Sequence, residues 1–257
     1  MFAMELKLGA RARGAAPAGA RVEAISWLTA ALVRNGSLLD EFIVARESNG
    51  WTVYGVAPAR DAFRKPNWNE FVRRRIDGLG RVNLKRPTIR FLGAIPESEP
   101  ACRCAETSGF FLFTTFLHKE PPVRCLDCNG SVPVYRLPRS ETGEHSGLLS
   151  WWKNYQACDT LQIGCTVGER FGERQMSDMA SSLSRSGLAV CKEIERLTGL
   201  PTYYYLHRAG GRSKSAEVRR KCPSCGGSWL LKEPLHGKFD FKCDKCLLLS
   251  NIAWNIR

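Results

Sequence analysis

Two hydrophobic periods run through the first hundred residues, and each period predicts one kind of element. Phe2, Met4, Leu6 and Leu8 occupy every second position, which is typical of a strand. The Gly-, Ala- and Arg-rich residues 10–20 predict a loop. Apolar residues then recur every three or four positions in two segments and predict two helices. The apolar face of the first helix is Val22, Ile25, Leu28 and Leu32, and that of the second is Trp68, Phe71, Val72, Ile76 and Leu79.

A β-hairpin is predicted between these helices, because Asn49-Gly50 joins two strand-like runs and both positions of such a turn favour positive φ. Asn67 is the predicted N-cap of the second helix, with Glu70 three residues later. A final strand is expected over 88–92. The resulting order, β-α-β-β-α-β, predicts a ferredoxin-like α+β domain over residues 1–97.

Eight of the eleven cysteines form two groups with the spacing of zinc sites. Two residues between paired cysteines allow one tight turn to present both sulfurs to one ion. The C-terminal group predicts a zinc ribbon over 211–257 and consists of Cys222, Cys225, Cys243 and Cys246. The first group predicts a second ribbon over 98–140, with buried or reactive thiols as the alternative, and consists of Cys102, Cys104, Cys125 and Cys128. Two structural Zn²⁺ ions are therefore expected.

Residues 141–210 predict a small helical segment that ends in a strand. The pattern indicates a short helix around Trp151, a long helix from about Glu173 to Thr198, and a strand over 203–206. Cys191 falls on the apolar face of the long helix and is predicted to be a core thiol. Cys158 and Cys165 could pair, bind a third metal or simply pack. The predicted fold class is thus α+β, with two zinc ribbons flanking this segment.

The formal charge of +13 is concentrated at the two ends of the chain. Residues 1–97 hold 16 Lys/Arg against 9 Asp/Glu, residues 211–257 hold 10 against 4, and the middle is balanced at 12 against 12. Two four-thiolate zinc sites would each carry about −2, which leaves the protein basic at about +9. This balance favours a polyanionic partner.

A basic segment beside the C-terminal ribbon predicts nucleic-acid binding, with Trp229 or Trp254 available to stack on a base. Its glycines and serines would let it follow a phosphate backbone. Its cations are Arg208, Arg212, Lys214, Arg219, Arg220 and Lys221. One alternative is a solvated linker beside two core tryptophans. Another is that Arg219 and Arg220 pair with Asp240 and Asp244.

The sequence also argues against several classes of protein. No run of about 18 apolar residues exists and no export signal is recognisable, so we expect a cytoplasmic protein with reduced thiols. The four histidines are scattered, and neither a phosphate loop nor a dinucleotide fingerprint is present. We therefore expect no catalytic residues and a non-enzymatic role.

Six motifs resemble a bacterial family of unknown function, described as zinc-ribbon proteins with a suggested role in nucleic-acid binding. They are CRC…CLDC, CDTLQIGCTVGERF, QMSD, PTYYYLHR, KCPSCGGSW and FDFKCDKC…LLSN, within residues 101–253. The resemblance implies a multi-part architecture with all eight grouped cysteines as ligands. A protein-interaction module is the second hypothesis, either an immunity-type neutralising partner or a scaffold, because the distinctive motifs within 155–209 lie in the charge-balanced middle of the chain, away from its most basic regions.

Overall fold

The computed structural model describes residues 1–10, 17–141 and 143–256. It is a mixed α+β structure with two sheets. The chain forms two compact units: unit 1 is Met1–Ala101, Lys119–Pro121 and Val132–Ser146, and unit 2 is Cys102–His118, Pro122–Ser131 and Gly147–Arg257. The loop predicted over 10–20 falls mostly on residues 11–16, which lie outside the described residues, and its last three positions belong to a helix.

Unit 1 contains a four-stranded sheet and two main helices in the predicted order β-α-β-β-α-β. Its elements are β1 (Phe2–Gly9), α1 (Ala18–Arg34), β2 (Ile43–Glu47), β3 (Gly50–Ala57), α2 (Glu70–Gly78) and β4 (Thr88–Ala94). The strand order is β2-β3-β1-β4, and all neighbouring strands are antiparallel. A 3-10 turn, Leu79–Val82, follows α2 directly.

The core of unit 1 lies between the helices and one sheet face. Met4, Leu6 and Leu8 of β1 are buried there, as the alternation predicts, together with apolar residues of both helices. Two predicted members of the helical faces do not join this core. Val22 is 51% exposed and Phe71 is 38% exposed.

Two local predictions in unit 1 are wrong by one or two residues. The hairpin is present, but its turn is Ser48-Asn49, because Gly50 already pairs with Glu47 as the first residue of β3. A side chain at Gly50 would lie 2.2 Å from the Leu8 carbonyl oxygen, so the glycine serves strand pairing. Asn69, not Asn67, caps α2 by accepting a hydrogen bond from the Val72 N–H at 2.9 Å.

Unit 2 is built on one six-stranded sheet with the strand order β6-β5-β7-β10-β9-β8. The strands are β5 (Phe110–Leu112), β6 (Val123–Cys125), β7 (Thr202–Leu206), β8 (Leu230–Leu235), β9 (Phe239–Cys243) and β10 (Leu248–Ser250). Strand β7 pairs in parallel with both β5 and β10, while the outer pairs are antiparallel. Segments from both predicted ribbons therefore share one sheet.

The helices of unit 2 differ from the prediction in length and number. They are α3 (Ser146–Gly164), α4 (Glu169–Ser177), α5 (Ser182–Thr198) and α6 (Lys214–Val218). The single long helix expected over 173–198 is wrong, because Ser181 interrupts it and caps α5 by accepting from the Ser184 N–H at 3.0 Å. Among the described residues, no helix combines the length and apolar character needed to cross a membrane.

Candidate metal centres and the basic segment beside them

Four cysteines meet where β9 ends in unit 2, and we call them the C-terminal cluster: Cys222, Cys225, Cys243 and Cys246. Their sulfurs all lie within 4.8 Å of one another, and the Cys225 and Cys243 Sγ atoms are 3.7 Å apart. Sulfurs about 2.3 Å from a zinc ion form a tetrahedron with edges of about 3.8 Å. A disulfide would hold two sulfurs at about 2.05 Å. The arrangement therefore fits a closed four-coordinate metal site.

Two tight turns present these sulfurs. In the first turn, the Gly226 N–H donates to the Cys222 carbonyl and the Cys222 N–H donates to the Gly227 carbonyl, both at 2.9 Å. Gly226 takes a φ of +69°, which glycine adopts without steric cost. The second turn places Leu247 at a φ of 51°. The Leu247 carbonyl accepts from the Tyr204 N–H, so the second turn is fixed to the central strand.

The other predicted group of cysteines also converges, and we call it the first cluster: Cys102, Cys104, Cys125 and Cys128. Its sulfurs again lie within 4.8 Å of one another, with Cys104 and Cys125 Sγ 3.9 Å apart. Gly130 lies so close to the cluster that a side chain there would come 2.9 Å from the Cys102 backbone. Both groups predicted from spacing are thus brought together, and each could hold a metal ion.

Hydrogen-bonding groups surround three of the four sulfurs of the first cluster. The Cys104 N–H donates to Cys102 Sγ and the Gly130 N–H donates to Cys128 Sγ, each at 3.4 Å, while the Thr107 hydroxyl lies 3.1 Å from Cys125 Sγ. Against the effect of burial, the Thr107 contact lowers the pKa of the Cys125 thiol. The Cys104 N–H bond thus orders the turn between Cys102 and Cys104, which are separated by a single residue.

Two family models match this chain. The domain of unknown function DUF2310 matches residues 104–207, and the domain of unknown function DUF8594 matches residues 211–256, which include the whole C-terminal cluster. A protein of Haemophilus influenzae described as "Uncharacterized protein" is 34% identical over 208 residues, covering 81% of this chain and 80% of that protein. The chain belongs to its family. A second protein with that description, from the same organism, is 42% identical over 144 residues, covering 56% of this chain and 71% of its own length.

The remaining cysteines of this family member lie apart from both clusters. Cys191 is buried in α5, and burial raises the pKa of its thiol well above the ordinary value, as expected of the predicted core thiol. Cys158 is also buried, in α3, whereas Cys165 is exposed after that helix. Neither belongs to a cysteine group that could bind a metal within the described ranges.

The two clusters differ in exposure. Cys222 and Cys243 of the C-terminal cluster are buried, and its other two cysteines are half-buried. In the first cluster, Cys104 and Cys128 are both exposed, and only Cys125 is buried. Solvent therefore reaches more of the ligand set in the first cluster.

The basic segment is divided between structural and exposed cations, a division that the charge pattern alone did not reveal. Glu217 is 2% exposed, and its carboxylate lies 2.8 Å from the Arg208 guanidinium and 3.5 Å from that of Arg220. Ser213 caps α6 by accepting from the Ala216 N–H at 3.2 Å, so the segment predicted to be flexible contains an ordered helical turn. The exposed cations are Arg212, Lys214, Arg219 and Lys221.

Arg220 is half-buried and is held by several partners. Its guanidinium donates to the Ser250 hydroxyl and the Asn251 carbonyl, and lies 4.4 Å from the ring centroid of Phe241. Burial lowers the pKa of Arg220 from its ordinary high value. The alternative hypothesis paired Arg219 and Arg220 with Asp240 and Asp244. Arg220 does interact electrostatically with Asp240, whereas the Asp244 carboxylate accepts from the Tyr203 hydroxyl and pairs with Lys242.

The two tryptophans of this region have different environments. Trp229 is 2% exposed, and its Nε1 donates to the Arg220 carbonyl at 2.9 Å, so it is a core residue and cannot offer a face to a base. Trp254 is 55% exposed. Of the two residues predicted to stack, only Trp254 presents accessible ring surface.

Proposed function

We propose that this chain is a cytoplasmic, non-enzymatic zinc protein that binds nucleic acid through the exposed cations beside the C-terminal cluster. Four thiolates are a soft donor set, and a site closed by four protein ligands leaves no position for water or substrate. Zinc would therefore serve the fold. Each four-cysteine segment is proposed to be a zinc ribbon, and unit 1 a ferredoxin-like domain, which its element order and its antiparallel β2-β3-β1-β4 sheet support.

The main observation behind this proposal is that Arg219 and Lys221 lie on a backbone segment that is fixed by its neighbours. These exposed residues flank Arg220, which is fixed by Glu217, by the β10 end and by the Phe241 ring. Their backbone is therefore held in place before a ligand arrives. Less conformational entropy is then lost when phosphates are engaged than for cations on a mobile linker.

Charge reversal tests the proposal. The double variant Arg219→Glu with Lys221→Glu should weaken binding of labelled DNA or RNA and flatten its salt dependence, by roughly one unit of slope for each phosphate that is no longer neutralised. The matched control is Lys192→Glu with Lys232→Glu, which makes the same charge change at exposed positions in α5 and β8. If the parent binds no DNA or RNA at low salt, or if both double variants bind alike, the proposal is wrong.

A protein-interaction module is the second candidate, and the apolar surface of residues 160–171 favours it. Leu161, Ile163, Val167 and Phe171 are all exposed around the α3–α4 connection. Clustered exposed apolar residues are typical of protein contacts. Affinity capture from nuclease-treated extract would support this candidate if a protein is retained by the parent and is not retained by a variant with Val167→Ser and Phe171→Ser. Recovery of nuclease-sensitive material only would contradict it.

A further inference from the structure

A surface cleft of about 800 Å³ lies between α1 and α2 of unit 1. Two aromatic side chains in its walls, Trp27 and Phe71, are 46% and 38% exposed. Both lie on helices whose other faces fill the core of unit 1. Large aromatic rings left together in a concave site are typical of a surface that contacts a ligand.

The Trp27 ring is held in position by polar neighbours. Its Nε1 donates to the Glu23 carboxylate at 3.3 Å, and the Arg75 guanidinium lies 4.8 Å from its ring centroid. A cation over an indole face is an attractive arrangement that restrains both side chains. The cleft thus combines a restrained flat ring with a positive charge.

The lining of the cleft carries a net positive charge, with three arginines against two carboxylates. The segment 64–90, which contains α2, is basic along the sequence, with nine Lys/Arg against two acids, Glu70 and Asp77. Three of these cations are ion-paired: Arg74 with Glu70 on the same helix, Arg86 with Asp77 and Arg90 with Glu5. Two carboxylates also line the cleft: Glu23, which accepts from the Trp27 Nε1, and Asp77, which pairs with Arg86 at 2.6 Å. Arg74, Arg75 and Arg81 line the same cleft, and all three are exposed. The site is therefore complementary to an anion.

We infer that this cleft binds a short single-stranded segment of nucleic acid, with a base stacked on Trp27 or Phe71 and phosphates beside Arg75 and Arg81. The partner class rests on the proposed function, but the site is a separate surface in the other unit. A single strand offers unstacked bases together with phosphates. A duplex keeps its bases stacked inside, and an acidic peptide supplies charge without flat base faces, so the single strand matches both features of the cleft.

The test uses the full zinc-containing chain and a labelled oligouridylate at fixed salt. Trp27→Ala should weaken binding about tenfold, the order expected for one stacked base. Arg81→Glu should weaken binding and flatten the salt slope. The matched controls are Tyr54→Ala in β3 and Arg46→Glu in β2, an exposed aromatic and an exposed cation outside the cleft lining. Both controls should bind like the parent, and melting temperature and zinc content confirm that each variant is folded.

Photocrosslinking gives a readout that needs no variant. A 4-thiouridine oligonucleotide irradiated on the parent should attach to peptides from α1 or from residues 70–82. If the parent binds while both cleft variants bind equally well and crosslinks map to unit 2 alone, this inference is overturned and the proposed function stands. If the parent binds no oligonucleotide, both the proposed function and this inference are wrong. Equal competition by an oligoglutamate of matched charge would overturn nucleic acid as the occupant.

Discussion

Glu217 and Arg208 form an ion pair in which the carboxylate is almost completely buried and the two groups are 2.8 Å apart. The other carboxylate oxygen of Glu217 accepts from the Ala253 N–H at 3.3 Å and faces Arg220. One side chain on α6 thereby connects the end of β7 with the chain that follows β10. A buried acid with several partners is costly to remove, because each partner is then left without its compensating charge.

Glu217→Ala should therefore lower the free energy of unfolding by about 3 kcal/mol, the range for breaking a buried ion pair. Urea denaturation at pH 7 measures this change. Glu233→Ala, at an exposed position in β8, is the matched control and should stay within about 0.5 kcal/mol of the parent. Similar values for the two variants would show that the carboxylate does not hold the segment.

Metal content should depend separately on the two clusters. We expect elemental analysis to find two zinc ions per chain, reduced to one by Cys125→Ser and also to one by Cys243→Ser, because each removes one of four ligands. Cys191→Ala should keep both ions and cost about 1–2 kcal/mol of stability as a small core truncation. Loss of zinc in the Cys191 variant, or no zinc in never-chelated parent protein, would contradict this prediction.

The first cluster should release its metal sooner than the C-terminal cluster. Two of its ligands are exposed, so a chelator or a competing proton reaches them directly. Zinc transfer to a chromogenic chelator should show a fast phase and a slow phase. Cys125→Ser should abolish the fast phase alone, whereas a single phase in the parent would argue against the difference.

Acid should destabilise unit 2 through His207. Burial lowers the pKa of this imidazole to about 4. An unfolded histidine titrates near 6.5, so between these values the unfolded state binds the extra proton and stability falls as pH falls. From pH 7 to 5.5 the loss should be about 1 kcal/mol. His207→Gln should flatten this dependence in denaturation curves recorded at constant zinc content; an unchanged slope would exclude His207 as its source.

Two glycines with open surroundings should respond oppositely to the same substitution. A side chain at either Gly226 or Gly164 would meet nothing within 4 Å. Gly226→Ala should still destabilise by about 1–2 kcal/mol, because its φ of +69° is unfavourable for alanine. Gly164→Ala, at the end of α3, should stabilise by about 0.5–1 kcal/mol. Thermal denaturation measures both, and a change of equal sign would refute the backbone explanation.

Local signals predicted much of this structure. The element order of unit 1 follows from hydrophobic period, and both cysteine clusters follow from ligand spacing, since each depends on residues close in sequence. The cap of α2 lies two residues later than predicted, because Asn67 ends a short 3-10 turn and Asn69 accepts from the Val72 N–H. The helical spacing of apolar residues continues through residues 178–181, and it therefore predicted one unbroken helix. The break is set by the N-cap at Ser181, which the spacing of apolar residues does not reveal.

Contacts between residues far apart in the sequence explain the features that local patterns did not predict. Arg220 belongs to a run of cations whose pattern is also typical of a solvated linker, but Glu217, Phe241 and the β10 end cover most of its side chain. Trp229 is buried for a similar reason, because its Nε1 donates to the Arg220 carbonyl and its ring packs against Phe241. The parallel pairing of β7 with both cysteine-bearing segments joins strands far apart in the chain, which no local pattern encodes.

The central position of β7 has a consequence for synthesis. During translation, the β5–β6 hairpin and its cysteines leave the ribosome well before the strand that pairs with Phe110 in the finished sheet. One edge of β5 is then an open template for other strands, including those of neighbouring nascent chains. A metal ion held early by the first cluster would keep this hairpin ordered through the interval. Zinc supply during translation would then govern yield and aggregation as well as final stability.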